Sequence, residues 1–528
     1  MSLTLGICRK SFRQIVLFAA VVFSLVSSLS AKSVQFLTTL TYDSGALCGN
    51  GITVADVNGD GKPDVILASG CPERNGQGAP GTISVQLGNG DGTFRPAVVY
   101  GSGGVQAMSV QVADVDGDGK VDVLVANECD NDDCLNGTVG VLLGNGDGTF
   151  QPAIPVVYSV ARCGSGYPVS LAIADVNGDR KPDVVVGYSA CVNILLGSGG
   201  GTFQPPVSYF SFGGVNAVAV SDVNHDGKLD VVVADACSDG LCTEGGVGVF
   251  LGNGDGTFQP ASVYGSNGFI ATSVQVADVN GDGNPDILVL NQALSDISSA
   301  TGSVGVLFGK GDGTFQPGGT YESGDPLAYS LAVGDLNGDG KPDLAIAHCT
   351  AYVNRGYACP GATGVVGVLV GNGDGTFQPT HKSPSGGVAA SAIAIADING
   401  DRKPDLVVAN RLGEGDPNGD GTLGVLLQYN GRLLTTSIAF TSSVNPSRYG
   451  QAVTFSAVVT STQGIVPDGE VVMFFDGEFE ISTGVTTSGV ASFTTATLRA
   501  KKHIMRATYS GDATFKPSTK ILKQVVSK

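Results

Sequence analysis

A chain of 528 residues is too long for one ordinary hydrophobic core, so at least two domains are expected. Hydrophobic residues make up 42%, yet only 15% are charged and 79 are glycine; the glycine has no three-residue period, which excludes a collagen-like fibre and points to many tight turns between short Val, Ile and Leu runs. The formal charge of −19 argues against nucleic acid and anionic membrane as partners.

At the N-terminus Arg9, Lys10 and Arg13 precede an apolar or small-residue stretch from Ile15 to Leu29, and Ser28-Leu29-Ser30 offers small residues for a cut before Ala31. This is the pattern of a signal peptide over 1–31. The apolar run is shorter than the roughly 20 residues a spanning helix needs, and no other stretch could span as a helix, so no transmembrane anchor is expected. The expected location is secreted, extracellular or at the cell surface. Cys8 leaves with the signal, and the other ten cysteines fall into local pairs: Cys48 with Cys71, Cys129 with Cys134, Cys163 with Cys191, Cys237 with Cys242, and Cys349 with Cys359. Sequence alone leaves many pairings open, but disulfides suit an oxidising compartment better than a zinc site, because there is no paired C-x-x-C and only four His.

The segment 33–433 is repetitive. ADVNGDGKPD, from Ala55 to Asp64, recurs in variant form seven times, with first aspartates at Asp56, Asp114, Asp175, Asp222, Asp278, Asp335 and Asp397. A period of this size marks a solenoid or a propeller. A second motif, close to LGNGDGTFQP, follows in six of the units, with Phe94, Phe150, Phe203, Phe258, Phe315 and Phe377. Each unit holds four strand-like runs, as in AMSVQVADV, DVLVAN, GTVGVLLG and FQPAIPVVY of the second. The middle two are nearly continuous Val, Leu and Ala, as in strands buried on both faces; the fourth contains Pro and suits an edge. Four strands repeated seven times predict a seven-bladed β-propeller. The seventh unit lacks its TFQP run, whereas an unpartnered strand-like segment, FLTTLTYDSG from Phe36 to Gly45, precedes the first. The N-terminal strand is therefore expected to complete the last blade and close the ring.

The aspartate loops carry the clearest chemistry. In the first, Asp56, Asn58, Asp60 and Asp64 occupy positions 1, 3, 5 and 9, Gly61 at position 6 permits the sharp turn, and the Lys62 carbonyl at position 7 can add a ligand. The second loop offers Asp114, Asp116, Asp118, Lys120 and Asp122; the third Asp175, Asn177, Asp179, Lys181 and Asp183; the fourth Asp222, Asn224, Asp226, Lys228 and Asp230. The fifth offers Asp278, Asn280, Asp282, Asn284 and Asp286; the sixth Asp335, Asn337, Asp339, Lys341 and Asp343; the seventh Asp397, Asn399, Asp401, Lys403 and Asp405. Several hard oxygens suit Ca²⁺ better than Mg²⁺, so up to seven calcium ions are expected, which would move the formal charge from −19 to −5. An EF-hand is excluded because position 12 is apolar throughout, from Leu67 to Val408. Metal-free Asx turns are the alternative. Arg180 and Arg402 replace the position-6 glycine, adding strain and a cation at the third and seventh loops. His225, at position 4 of the fourth, is expected to point to solvent.

The DxNxDGxxD loop with GNGDGTF resembles the FG-GAP or VCBS repeats of bacterial secreted proteins and of the integrin α-subunit propeller, over roughly Val34 to Leu433. The resemblance implies that the loop joins the innermost strand to the next and binds Ca²⁺ on one face, and that the cysteine-bearing segments lie on the other, among loops that bind ligands. GDPNGDGT, at Gly415 to Thr422, mimics such a loop but has Gly424 at position 9 and reads as a surface turn.

From Thr435 the composition shifts to Thr and Ser. Short alternating strands predict a β-sandwich over 435–528, and YGQAVTF, FFDG and YSGDATF resemble bacterial Ig-like repeats. No G-x-S-x-G, H-E-x-x-H, P-loop or Rossmann fingerprint is present, so no catalytic residue is assigned. His348 and the Asp130, Asp132 and Asp133 group read as structural and as solvated loop charge. The expected function is non-enzymatic adhesion or binding of an extracellular protein or glycan. A lectin, with Tyr167, Tyr188, Tyr352 and Tyr357 near the loops, and a polysaccharide-processing enzyme are the alternatives.

Overall fold

The computed structural model describes residues 34–528 apart from 38, 47, 71–79, 131–135, 159–167, 189, 239–243, 294–300, 350–362, 413–420, 429–433, 462–463, 467–468, 478 and 512–514. Every regular element among them is a β-strand. The expected signal peptide lies outside the described residues, as do most of the long cysteine-bearing loops and most of GDPNGDGT.

The repeat region is β-propeller-like, built of four-stranded antiparallel units. In the fourth unit the sheet order is Val215–Ser221, Asp230–Asp235, Gly246–Phe250 and Ser262–Gly265. The fifth repeats it with Ile270–Ala277, Asp286–Gln292, Ser303–Gly309 and Phe315–Glu322. The second and third strands are buried almost throughout, as their unbroken aliphatic sequence requires, and the fourth is half-buried to exposed. Two strands of 16 residues serve two units each. Val98–Ala113 pairs first with Pro80–Gln86 and then with Asp122–Cys129, and His381–Ala396 does the same between Thr363–Leu369 and Asp405–Leu412.

The fourth run is shorter than its sequence suggested. In the second unit Phe150 makes an isolated bridge to Gly144, and the strand resumes only at Ile154–Tyr158. The intervening Pro152 has no N–H to give to a ladder.

First strands of successive units are stitched side by side. Asn50 Nδ2 donates to the Ala107 carbonyl at 3.0 Å, the Leu171 and Val218 amides donate to Ser109 Oγ (3.4 Å) and Ser170 Oγ (3.3 Å), and Asn216 Nδ2 donates to the Ala271 carbonyl at 2.7 Å. Thr272 Oγ1 donates to the Ala328 carbonyl at 3.0 Å, the Ile393 amide to Ser330 Oγ at 3.4 Å, and Ser391 Oγ to the Gly49 carbonyl. The last of these joins the seventh unit to the first. These strands line a polar cavity of about 470 Å³, with Asn50, Ser109, Ser170, Asn216, Thr272 and Ser330 among its walls.

The N-terminal strand, Leu40–Asp43, pairs antiparallel with Thr422–Leu426 of the seventh unit, Leu40 opposite Val425 and Asp43 opposite Thr422. Phe36 bridges Gln428 upstream of it. The sequence had placed one strand from Phe36 to Gly45; the regular ladder occupies its middle.

The C-terminal domain is a two-sheet sandwich. One sheet contains Thr436–Ser442, Val453–Ser461 and Val490–Thr495; the other runs Ser447–Arg448, Ser518–Ser527, Lys502–Tyr509, Val471–Asp476, Phe479–Val485. Period-two alternation sends Phe440, Phe455, Phe474, Met505 and Tyr509 inward to one core, where Phe474 and Phe493 lie with ring centroids 4.7 Å apart.

Candidate metal-binding loops

Each aspartate loop joins the first strand of its unit to the second; in all seven the position-6 amide donates to the position-1 carboxylate and the position-7 amide to position 5. In the first, Asp56 accepts from the Asp60 amide (3.1 Å) and the Gly61 amide (2.7 Å), Asn58 Oδ1 from the Asp60 amide (2.9 Å), and Asp60 from the Lys62 amide (3.0 Å). The turn needs a left-handed backbone at positions 4 and 6, with φ of 72° at Gly59 and 79° at Gly61. Arg180 and Arg402 hold the same conformation, φ 67° and 65°, and their amides still donate to Asp175 (2.7 Å) and Asp397 (2.8 Å). The strain expected there is present and the loop shape survives it. His225 is exposed, as expected, but also carries a φ of 59°, because position 4 is the second left-handed site. That requirement was readable in the glycine at position 4 of the other six loops.

The position-9 aspartates differ from the rest. Asp64, Asp122, Asp183, Asp230, Asp286, Asp343 and Asp405 are fully buried. Asp64 accepts from the Val57 amide inside the loop (3.0 Å) and from Gly88, in the turn between third and fourth strands (2.8 Å). In the seventh unit Asp405 accepts from Ile398 (3.0 Å) and, lacking the glycine turn, from Gln428 (2.7 Å). The buried carboxylate thus ties the loop to its own sheet. Burial raises the pKa of each, opposed by the amide hydrogen bonds and helped by the position-1 and position-5 carboxylates, by Asp116 in the second loop and by Asp339 in the sixth: to about 6 for Asp286 and Asp343 and about 7 for Asp405.

Two observations test whether these loops suit a cation. In the second loop, carboxylate oxygens of Asp114, Asp116 and Asp122 lie within 4.8 Å of one another. In the sixth, Asn337 Oδ1 is buried with no hydrogen-bond donor. Both leave acceptor capacity converging where a hard cation would use it. Position 7 holds a competitor that the sequence did not suggest: Lys62, Lys120, Lys181 and Lys228 place Nζ 3.9, 2.7, 3.5 and 3.5 Å from the position-5 carboxylates. Lys341 instead donates to the Asn372 carbonyl at 2.6 Å. Asn284 of the fifth loop carries no charge.

The described cysteines sit at the strand ends away from the aspartate loops. Cys129 and Cys349 end second strands, Cys237 follows one, Cys48 precedes a first strand and Cys191 begins a third. The expected partner of each lies outside the described residues. At the same level is a buried polar series that sequence reading missed. Asn127, Asn291 and Asn410, five residues after the position-9 aspartate, accept from Ser102, Ser266 and Ser385 Oγ at 2.5, 2.6 and 2.5 Å. The recurring Ser and Asn, 25 residues apart in each case, were the signal. In the fourth unit Asp235 takes the Asn position, accepts from Ser211 Oγ at 2.5 Å, and is pushed up to about 6 by burial. In the sixth it is His348, fully buried, with both ring nitrogens lacking hydrogen-bond partners; burial and then Lys382 lower it to about 3.

Tyr188 is buried in the core between the second and third units, so it is not a stacking platform; Tyr167, Tyr352 and Tyr357 lie outside the described residues. Asp130 accepts from Asn136 Nδ2 at 3.0 Å, while Asp132 and Asp133 lie outside the described residues. Among the described residues no helix is long and apolar enough to cross a membrane.

Comparison with known proteins places this geometry. Residues 56–125, 129–186, 175–233, 222–289, 294–346 and 357–408 match the FG-GAP-like repeat, and 440–527 match the bacterial Ig-like domain, group 3. No curated protein matches the chain. A solved lectin from Agrocybe aegerita, described as recognising non-reducing terminal N-acetylglucosamine, is similar at 22% identity and a TM-score of 0.41, over 69% of this chain and 86% of that one. The structure of BBS1N in complex with ARL6DN is similar at 11% identity and a TM-score of 0.44 in its lead-soaked form, and at 10% and 0.46 in its mercury-soaked form, each over 75% of this chain and 98% of that one. Matching the FG-GAP-like repeat over most of its length, the chain belongs to that family and ends in a bacterial Ig-like domain.

Proposed function

We propose that this is a secreted or cell-surface protein whose repeats form a closed, seven-bladed, calcium-stiffened propeller that binds an extracellular ligand without catalysis. The N-terminal strand on Thr422–Leu426 and the Ser391–Gly49 hydrogen bond support closure of the ring. The observation that carries the calcium reading is the sevenfold recurrence of the loop, its position-6 and position-7 amides held on the position-1 and position-5 carboxylates beside a fully buried aspartate, with Asp114, Asp116 and Asp122 converging in the second. Calcium bound there would offset the mutual repulsion of the carboxylates and clamp the first strand to the second. The third and seventh loops, with an arginine cation next to the site, would hold it most weakly. The cysteine-bearing end, rigidified by five local disulfides, is the expected ligand face.

Elemental analysis of the purified mature chain, with thermal unfolding before and after chelation, tests the metal. Several calcium ions per chain and a marked fall in Tm are expected; no calcium and an unchanged Tm would remove it. Binding to panels of glycans and of extracellular proteins separates lectin from protein adhesion, and product formation from a polysaccharide would reassign the chain as an enzyme.

A further inference from the structure

The polar cavity between the first strands draws its wall from all seven units. Its volume, about 470 Å³, falls in the range of roughly 300–1,000 Å³ in which small molecules are held. A water takes about 30 Å³ of liquid, so this is not the socket of one structural water. Strand register sets the depth of each residue. Asn50 and Asn216 stand near the start of their strands, at the cysteine-bearing end. Gln111 and Gln275 lie further in, opposite Leu124 and Leu288. Val54 and Ile395, opposite Val65 and Leu406, approach the aspartate loops.

Among the described residues, no Asp, Glu, Lys, Arg or His forms part of the wall. A hard metal ion would want carboxylate oxygens there, and an anion would meet no cation in a chain of charge −19. Arg411 is engaged over the Tyr329 ring, 5.4 Å from its centroid, and does not enter the lining. A wholly apolar molecule would strip water from hydroxyls and amides and return no hydrogen bond. What the wall holds is spare hydrogen-bonding capacity of both kinds. Ser109, Ser170, Ser273 and Ser330 each take an amide of the next unit on Oγ at 3.3–3.4 Å and keep an O–H to give. Asn50 and Asn216 spend Nδ2 on backbone carbonyls and keep Oδ1 to accept. The side chains of Gln111 and Gln275 bond to no other described residue and bring a donor and an acceptor each. Val110, Val274 and Ile393 interpose aliphatic surface.

We infer that this cavity binds a neutral sugar, entering from the cysteine-bearing end. The inference rests on the ligand-binding reading above and names a site and a ligand class for it. Sugar hydroxyls both donate and accept, as the serine hydroxyls and asparagine carbonyls require, and the C–H faces of the ring suit the aliphatic wall.

The test is calorimetric titration of the mature chain, in calcium, with glucose, galactose and mannose. Each is supplied free, as the non-reducing end of a disaccharide, and as its uronate. One neutral sugar is expected to bind once per chain, and its uronate about tenfold more weakly or worse, because the carboxylate would be desolvated with no cation to face. Binding of the free sugar alone would mark a free ligand, and binding of the disaccharide too would mark a glycan end. Q111L/Q275L should weaken binding about tenfold with Tm unchanged, since it removes two side chains that hold no other residue. If that pair fails to fold, the uronate comparison on the wild type decides. A sugar held equally by a folded Q111L/Q275L would sit elsewhere on the chain and overturn the inference, as would a uronate held as tightly as its neutral parent. No sugar bound, with a protein ligand captured, would overturn it and leave the proposed function standing; no ligand of either kind would remove both.

Discussion

Tyr42 and Phe94 meet edge to face, ring centroids 5.6 Å apart and planes at 81°. Tyr42 belongs to the N-terminal strand, paired into the seventh unit, and Phe94 to the first. The same contact recurs from four other fourth strands to the phenylalanine of the next unit: Tyr100–Phe150 at 5.8 Å, Tyr209–Phe258 and Tyr264–Phe315 at 5.6 Å, and Tyr321–Phe377 at 5.2 Å. The N-terminal strand therefore contributes the last unit's fourth-strand tyrosine along with its backbone ladder. Its hydroxyl is pushed up to about 12 by burial and then by Asp91.

If that contact holds first and seventh units together, Tyr42→Ala and Phe94→Ala should each lower stability in urea unfolding at saturating calcium, and the two losses should not add. A double-mutant cycle is expected to give a coupling of about 1 kcal/mol, the size found for buried aromatic pairs. Independent losses would mean the rings pack separately.

The left-handed arginines predict a gain. A non-glycine residue in that region costs roughly 1–2 kcal/mol, and neither Arg180 nor Arg402 loses its amide hydrogen bond when the side chain is removed. Arg180→Gly and Arg402→Gly should each stabilise the calcium-loaded chain by about 1 kcal/mol in denaturant titrations and tighten calcium at that loop in calorimetry.

Removing one carboxylate from the densest loop should remove one ion. Asp116→Ala breaks the Asp114, Asp116 and Asp122 cluster, and calorimetric stoichiometry is expected to drop by one with the other sites unchanged. An unchanged stoichiometry would show that this loop is a metal-free turn.

His348 gives a pH dependence whose sign is fixed. Its native pKa, about 3, lies below the ordinary value of about 6.5, so below pH 6.5 the unfolded chain takes up a proton that the native chain refuses. Its contribution is complete above pH 6.5 and is lost as pH falls from there toward 3. His348→Asn should flatten that loss and raise stability at neutral pH, since an asparagine there would face Ser323 as Asn127 faces Ser102. Comparing the pH profiles of the two proteins in denaturant checks both effects.

The position-9 aspartates act in the opposite sense without metal. With native pKa values raised to about 6 for Asp286 and Asp343 and about 7 for Asp405, the native chain binds protons between pH 7 and about 4 that the unfolded chain does not. The chelated H348N chain should therefore gain stability on acidification through that window, while the calcium-loaded form loses it as protons displace the ion. Unfolding midpoints across pH, with calcium and with chelator, would show the two curves converging.

The repeat fold and the aspartate loops were legible because they recur: the pattern of Asp56 to Asp64, met seven times, makes each residue's place a matter of register. The pairing of Leu40–Asp43 with Thr422–Leu426 was legible from a missing run at one end and a spare one at the other. What the sequence hid was set by tertiary contact. Nothing local distinguishes Asp64, fully buried, from Asp60, exposed at its loop's edge, because the burial comes from Gly88 of another turn. The lysines at position 7 read as backbone ligands and proved to reach the position-5 carboxylates. Tyr188 read as an aromatic near the loops and lies in a core, because it ends the second strand of its unit and packs between the second and third units.

The pairing of the first strand with the last unit sets an order of events during synthesis. Thr39 Oγ1 donates to the Pro384 carbonyl at 2.8 Å, 345 positions away. The strand Leu40–Asp43 leaves the ribosome early, and its partner strand follows only when nearly the whole repeat region has been made. Until then that strand edge and the Tyr42 ring stay open to other chains. Contacts of such separation fold slowly and leave intermediates prone to aggregate, so the nascent N-terminal strand is the segment that a holding chaperone would have most reason to cover.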